Sequence, residues 1–210
     1  MTTAQAYQPS RSPAPWAEIV PGYGSVSVDI LLTIPDDGYI YEVVEGVLVR
    51  VAGSGNRATR LAARLIGRLI AYADGHQLGV VTSSDGVYKF PGAETGLVPD
   101  VGYYRAERLS LIKDEDKPIP FLPDLAVEVA SSSQDADDMA AKARAYLRAG
   151  TRFVWVVWPR SRHVDVWRSD VPTAPVHLLG VGDTLAGEDA VPGFSYSVAD
   201  LFADPLRQEP

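Results

Sequence analysis

The chain has 210 residues, of which 46% are hydrophobic and 22% are charged. These values are ordinary for a globular protein, and the length is enough for one sizeable domain with a full core. The absence of cysteine excludes disulfides, thiolate metal sites and a cysteine nucleophile, and it fits a reducing cytoplasm. The net charge of −8 argues against a broad nucleic-acid-binding surface, although it leaves room for a local basic track.

The sequence predicts one domain over residues 25–204, between an N-terminal tail over residues 1–24 and a C-terminal tail over residues 205–210. The N-terminal segment is rich in Pro, Ser, Gln and Ala. It lacks the basic start and apolar core of a signal peptide, so we expect it to be flexible. The chain has no run of about 18 apolar residues, and therefore no membrane span is expected.

The first predicted elements are a hairpin and a helix. Two β-rich runs over residues 39–52 flank Glu45-Gly46, where the glycine tolerates a positive φ. The helix covers residues 56–73, because leucines and an isoleucine recur there at helical spacing. Gly75 is its expected stop.

Four arginines of this helix fall at i, i+3, i+7 and i+11, which places them on one stripe. The arginine stripe consists of Arg57, Arg60, Arg64 and Arg68. It is compatible with a track for the phosphate backbone of DNA. It is equally compatible with a solvated face that pairs with acidic residues elsewhere, and the sequence leaves both interpretations open.

The middle of the chain is predicted to form strands. Residues 79–83 and 86–90 have the pattern of an antiparallel pair with a turn between them. A further strand covers residues 98–104 and begins near Pro99-Asp100. After a polar and irregular excursion, residues 125–130 form an apolar, β-rich strand.

The last part of the chain returns to a helix and more strands. Serines and aspartates after residue 130 favour the start of a helix that ends at Gly150. Residues 152–158 and 163–168 form a hairpin whose first strand is apolar enough to be central in a sheet. A short strand over residues 177–179 and a closing helical turn over residues 197–202 complete a predicted α/β domain.

The late hairpin holds three of the four tryptophans, which are Trp155, Trp158 and Trp167. We interpret them as packing residues or as a dimer surface, rather than as a platform on which bases stack. The hairpin carries more aromatic surface than a small domain needs to bury. A homodimer is therefore predicted.

Asp100, Glu128 and Lys142 have the chemistry that metal-dependent phosphodiester cleavage requires. Side chains alternate along the strand over residues 125–130, so Glu128 shares its face with two small alanines. Two carboxylates can hold a hard divalent cation such as Mg²⁺. A nearby lysine can orient the attacking water and stabilise the charge that builds on phosphorus.

Each of these residues also has an ordinary structural interpretation. Glu128 fits a salt bridge across the sheet or an exposed edge, and Asp100 fits a turn or cap. Lys142 fits a surface lysine that pairs with Asp138 at i and i+4. In that position its loss would cost little stability, within about 0.5 kcal/mol.

Several short motifs in one order, over most of the chain, resemble the Uma family of proposed restriction endonucleases within the PD-(D/E)XK nuclease superfamily. The matching stretches are Tyr41-Glu42-Val43-Val44-Glu45-Gly46, Pro99-Asp100-Val101, the run from Pro123 to Ser133, the run from Lys142 to Gly150, Val154-Trp155-Val156-Val157 with Pro159, Pro192-Gly193-Phe194 and Leu201-Phe202. The order of these motifs is far more specific than any one of them. The chain departs from the family at Asn56-Arg57, where many relatives carry a histidine.

The resemblance implies a restriction-endonuclease-like core, in which helices flank a mixed central sheet and a hairpin lies at the N-terminus. It implies a Mg²⁺- or Mn²⁺-dependent endonuclease that acts on DNA, with Asp100 and Glu128 as metal ligands. Lys142 would be the catalytic lysine and Glu42 a further site carboxylate. In the wider superfamily the lysine often lies two residues after the glutamate, where this chain has Ala130. The alternative is a catalytically silent nucleic-acid- or protein-binding module that keeps the nuclease fold.

Overall fold

The structure is a computed structural model that describes residues 13–51 and 53–204. The strands are β1 (Glu18–Ile19), β2 (Ile40–Val44), β3 (Val47–Val51), β4 (Gly79–Thr82), β5 (Tyr88–Lys89), β6 (Gly96–Leu97), β7 (Val101–Arg105), β8 (Leu125–Val129), β9 (Phe153–Trp158), β10 (His163–Arg168), β11 (His177–Leu179), β12 (Thr184–Ala186) and β13 (Ser195–Ser197). The α-helices are α1 (Asn56–His76), α2 (Ala136–Ala149) and α3 (Val198–Phe202), and 3₁₀ helices cover Val28–Leu32 and Ala106–Leu111. None of the described helices is both long and apolar enough to cross a membrane.

The main sheet has six strands in the order β11-β10-β9-β8-β7-β4. β8 and β9 run parallel, whereas the other neighbours are antiparallel. The leucines of α1 pack against one face of this sheet, in a core cluster that includes Val127 of β8 and Trp155 of β9. Met139 and Tyr146 of α2 pack against the other face. The predicted α/β fold, with a mixed central sheet flanked by helices, is confirmed.

A second sheet, in the order β1-β3-β2-β6-β5, lies on the α2 side of the main sheet. Val49 and Leu97 of this sheet share one core cluster with Met139 of α2 and Ala126 of β8. Its β2–β3 hairpin is the predicted one, with Glu45 and Gly46 at φ 52° and 76°. Residues of α2 therefore contact strands of both sheets.

The observed ends of α1 and α2 show which residues stop or cap each helix. α1 continues past Gly75 to His76, because Gln77 adopts the left-handed conformation (φ 54°) that ends the helix. The predicted stop at Gly75 is therefore wrong. α2 is capped by Asp135, whose carboxylate accepts from the backbone N–H of Asp138, rather than by the preceding serines, and it ends at Gly150 as predicted.

The predicted antiparallel pairing of residues 79–83 with residues 86–90 is wrong. β4 pairs with β7 in the main sheet, and β5 pairs with β6 in the second sheet. Tyr88 of β5 links the two sheets, because its fully buried ring packs with Tyr104 of β7. Its hydroxyl bonds to Thr82 (2.8 Å) and lies where a side chain on Gly102 would stand.

The described part of the predicted N-terminal tail packs against the domain. Trp16 is buried, and β1 pairs with β3 through Glu18 opposite Arg50. The other residues of the two predicted tails, 1–12 and 205–210, lie outside the described residues.

The tryptophans of the β9–β10 hairpin belong mainly to the protein's own core. Trp155 is 1% exposed and Trp167 is 4% exposed, on opposite faces of the main sheet. The aromatic argument for a homodimer therefore loses its basis, and the homodimer stays a prediction. Light scattering at micromolar concentration tests it, because a monomer mass would contradict it.

Candidate active site

The ammonium of Lys142 lies between the two sheets. Its Nζ is 3.0 Å from Glu42 Oε1 on β2 and 3.0 Å from Glu128 Oε2 on β8. The side chain is only 2% exposed, because the face of α2 that carries it is covered by both sheets. The expected surface lysine paired with Asp138 is therefore wrong, and Lys142 is instead a buried cation that joins two carboxylates.

Glu42 is held in place by three donors. Besides the Lys142 ammonium, its Oε1 accepts the backbone N–H of Val98 (3.1 Å), and its Oε2 accepts the indole N–H of Trp16 (2.9 Å). A fully buried carboxylate needs such partners, because removing an unpaired charge from water is very costly. Glu42 therefore fixes the position of Lys142. Trp16 supplies the third hydrogen bond to Glu42. The sequence shows no sign of this role, because Trp16 lies in an N-terminal segment without a recognisable motif.

Glu128 receives one partner on each oxygen, and both partners come from α2. Its Oε2 faces Lys142, and its Oε1 accepts the hydroxyl of Tyr146 at 3.0 Å. Lys142 and Tyr146 are four residues apart, so they lie on the same face of the helix. The sequence shows this four-residue spacing, but it does not show that the Tyr146 hydroxyl bonds to Glu128.

Asp100 lies across from Glu128. β7 and β8 are antiparallel with Val101 opposite Val127, and one further step of this register brings Asp100 opposite Glu128. Directly opposed residues point to the same face of a sheet, with Cβ atoms about 5 Å apart. The Asp100 carboxylate is fixed there, because its Oδ2 accepts the backbone N–H of Val129 at 2.7 Å.

These side chains converge on one small cavity. Asp100, Glu128 and Lys142 all line it, together with Gln134. Its volume is about 20 Å³, which is room for roughly one water-sized species. The three residues predicted from the sequence therefore meet at one point, and Glu42 reaches that point through the Lys142 ammonium.

Three carboxylates share one ammonium in this buried cluster, and the pKa values reflect that imbalance. The pKa of Glu128 is raised to about 8, mainly by burial and also by repulsion from Asp100 and Glu42, while Lys142 opposes the change. Burial also raises the pKa of Asp100. For Lys142 burial acts to lower the pKa, but the surrounding carboxylates outweigh it and raise the value. The repulsion expected between Asp100 and Glu128 is present, but burial is the larger cause.

Stability of the metal-free protein is expected to fall as the pH rises from about 4.5 to 8, because Glu128 keeps its proton in the folded state and loses it in the unfolded state. In this window the native protein binds more protons than the unfolded chain, so the free energy of unfolding decreases, by up to about 1.4 kcal/mol per pH unit for one proton. Urea denaturation in EDTA across this range measures the slope. Glu128→Gln removes this contribution, and an equal slope in both proteins would contradict the assignment.

The donor atoms at the cavity fit a hard divalent cation. Mg²⁺ and Mn²⁺ prefer carboxylate oxygen, which Asp100 and Glu128 present side by side. Over residues 13–51 and 53–204, no group of three or more His, Cys, Asp or Glu side chains is arranged to hold a metal ion. An ion bound between these two carboxylates would take its other ligands from water and substrate, as Mg²⁺ usually does.

Most of the arginine stripe contacts the end of the chain. Arg60 pairs with Asp204 at 3.0 Å, and Arg64 donates to the carbonyl of Leu201 at 2.9 Å. Arg68 lies over the ring of Tyr196, 5.3 Å from its centroid. These contacts give three of the four arginines an intramolecular role. Arg57 instead lines a separate cleft at the start of α1, and contact between the stripe and DNA stays a prediction.

The comparisons with known proteins agree with this fold. The sequence model of the Uma2 family, described as "Putative restriction endonuclease", matches residues 28–199. Among solved structures, the protein is similar to a crystal structure of a "putative nuclease belonging to DUF820" from Anabaena variabilis ATCC 29413. The TM-score is 0.69 and the identity 18%, over 84% of this chain and 97% of that chain, so this similarity shows the fold alone. No curated protein matches the chain.

Proposed function

We propose that this chain, which belongs to the Uma2 family of putative restriction endonucleases, is a Mg²⁺- or Mn²⁺-dependent endonuclease that hydrolyses phosphodiester bonds of DNA. The observation that carries the proposal is the meeting of Asp100, Glu128 and Lys142 at one cavity. Two of them, Glu128 and Lys142, are almost completely buried. Buried charge is expensive, and its concentration at the edge of a cavity is typical of functional sites.

The position in the fold supports the same function. Glu128 is near the carboxyl end of β8, next to its parallel neighbour β9. Carboxyl ends of parallel strands are where α/β sheets place their ligands. Asp100 enters the same edge from β7, immediately before the first paired residue of that strand.

Asp100 and Glu128 are the residues that would hold the metal ion. A bound ion would supply Lewis acidity toward the phosphate and a lower pKa for the attacking water. The pKa of Lys142 is raised by the carboxylates around it, so the side chain is an ammonium at neutral pH. Lys142 therefore acts by donating hydrogen bonds and by stabilising negative charge at the phosphate, not by removing a proton. Glu42 positions this ammonium and needs no contact with substrate.

The alternative, a silent binding module that keeps the nuclease fold, is favoured by one specific feature. The Lys142 ammonium already pairs with both Glu42 and Glu128 at 3.0 Å, and these contacts satisfy the cluster without any ion. In such a module the cluster would only join the two sheets. The two functions differ in what they predict for DNA.

The test is incubation of plasmid and single-stranded DNA with the full chain, with Mg²⁺ or Mn²⁺ present and with EDTA. The endonuclease predicts nicked or linear plasmid only when metal is present. The silent module, whether it binds nucleic acid or protein, predicts that DNA is recovered intact under every condition, and that result would replace the enzyme with the binding function.

A further inference from the structure

A second cleft opens beside the catalytic cavity. It lies between the start of α1, the segment after β8 and the turn between β9 and β10, and its volume is about 370 Å³. This size falls within the range of pockets that hold small ligands. Its lining includes Arg57, Ser131, Trp158 and Arg160.

The cleft and the catalytic cavity are neighbours. Gln134 lines both of them. The reason is the parallel pair: β8 ends at Val129 and β9 ends at Trp158, so the chain segments that follow them leave the sheet at one edge. The cavity and the cleft therefore share a wall at this edge, where a nucleic-acid strand bound at the cavity can contact the cleft as well.

The lining of the cleft has charged and backbone groups that suit a phosphate. α1 begins after Gly55, which has no side chain to cap the helix, and its first turn contains no acidic residue. The first backbone N–H groups therefore have no side-chain acceptor from the cap, and the helix dipole favours an anion there. Arg57 and Arg160 line the same cleft, and neither has an ion-pair partner within the described residues.

The lining of the cleft also presents a fixed aromatic ring. The indole N–H of Trp158 donates to Asp165 Oδ2 at 2.8 Å. The ring stacks on His163, with centroids 5.9 Å apart and planes inclined by 20°. His163 also lies 3.2 Å from Asp165 Oδ1, so the three side chains brace one another. Trp158 is half-buried and lines the cleft, unlike the two core tryptophans of the hairpin. The interpretation of all three tryptophans as packing or dimer residues is therefore not kept for Trp158, whose ring is held in place before any ligand arrives.

We propose that this cleft binds one unpaired nucleotide of the DNA strand, next to the phosphate that is cut. Arg57, Arg160 and the first amides of α1 hold its phosphate, and Trp158 stacks on its base. Stacking of this kind accepts any base, because every base has a flat aromatic face. The assignment of the strand as the one that is cut rests on the proposed function, whereas binding of the nucleotide does not.

The experiment measures fluorescence anisotropy of labelled short oligomers with the full chain in EDTA, so that no cleavage occurs. One oligomer is single-stranded oligothymidylate, and the other has the same length but lacks every base. Trp158→Ala is expected to weaken binding of oligothymidylate about tenfold and to leave the abasic oligomer unchanged. Trp158→Phe keeps an aromatic ring and is expected to retain most of the affinity.

Arg57→Ala tests the phosphate side. It is expected to weaken binding of both oligomers and to lower the slope of log affinity against log salt by about 0.7, the value for one phosphate of a single strand. Arg148→Ala is the matched control, because Arg148 is an exposed arginine in the last turn of α2 that does not line the cleft. Arg148→Ala should change the affinity for both oligomers and the salt slope only by the small effect of removing one distant charge.

Three results would overturn the proposal: no binding of oligothymidylate, equal losses on both oligomers in Trp158→Ala, or equal effects of Arg57→Ala and Arg148→Ala. Failure of nucleotide binding at the cleft can be distinguished from failure of the proposed nuclease activity. If the wild-type chain cuts DNA while the cleft variants keep its KM, the cleft assignment falls and the enzyme stands. If the binding pattern appears without any cleavage, the cleft stands and the enzyme falls.

Discussion

Replacing Lys142 with alanine is expected to destabilise the protein by about 3–5 kcal/mol and to abolish metal-dependent cleavage. The ammonium is the shared partner of Glu42 and Glu128, and all three side chains are buried. Removing the ammonium leaves the buried Glu42 carboxylate without its cation, and breaking a buried ion pair in this way costs this much. The small cost expected from the sequence rested on an exposed Lys142, and the structure instead buries this side chain.

Urea denaturation at neutral pH measures this effect, and Lys113→Ala is the matched control. Lys113 is exposed and only donates to the carbonyl of Ser110, so its loss should stay within about 0.5 kcal/mol. Lys142→Met keeps most of the apolar stem and separates lost packing from lost charge. If Lys142→Ala unfolds at the same urea concentration as Lys113→Ala, the buried cluster does not exist as described.

Replacing Glu128 with glutamine is expected to reduce the cleavage rate by on the order of 10²-fold or more while the protein stays folded. Glutamine has nearly the same shape, and its carbonyl oxygen can still accept from Tyr146 or Lys142. It lacks the negative charge that a divalent cation requires. The loss therefore separates chemistry from folding more cleanly than an alanine substitution would.

Calorimetric titration with Mn²⁺ compares metal binding by the wild-type chain and by Glu128→Gln. The wild-type chain should bind the ion and Glu128→Gln should bind it more weakly. Glu107→Gln is the control, because Glu107 is an exposed glutamate in a 3₁₀ helix away from the cavity. Unchanged cleavage in Glu128→Gln would remove Glu128 from the reaction.

Local patterns in the sequence predicted the helices and turns whose conformation is set by residues close together in the chain. The helically spaced leucines of α1 and the turn with a positive φ at Gly46 belong to this class, and both are found in the structure. Pairing between distant strands does not leave such a pattern. β4 pairs with β7, so that Gly79 lies opposite Arg105, whereas the nearer β5 pairs with β6 in the other sheet.

The same distinction applies to the candidate site. Asp100 and Glu128 were recognised because each lies in a short motif, and the strand register then explains how they meet. The burial of Lys142 could not be read from α2 alone, since it depends on the second sheet that covers the helix. Trp16 left no signal because its role is one hydrogen bond to Glu42, 26 residues away.

The most direct test of the catalytic cluster is a plasmid-nicking assay that compares the wild-type chain, Glu128→Gln and Glu107→Gln side by side, with Mg²⁺ or Mn²⁺ and with EDTA. We expect nicking by the wild type and by Glu107→Gln when metal is present, and none by Glu128→Gln or in EDTA. Nicking that persists in Glu128→Gln, or a wild-type chain that leaves the plasmid intact with either metal, would contradict a metal-dependent nuclease at this cluster.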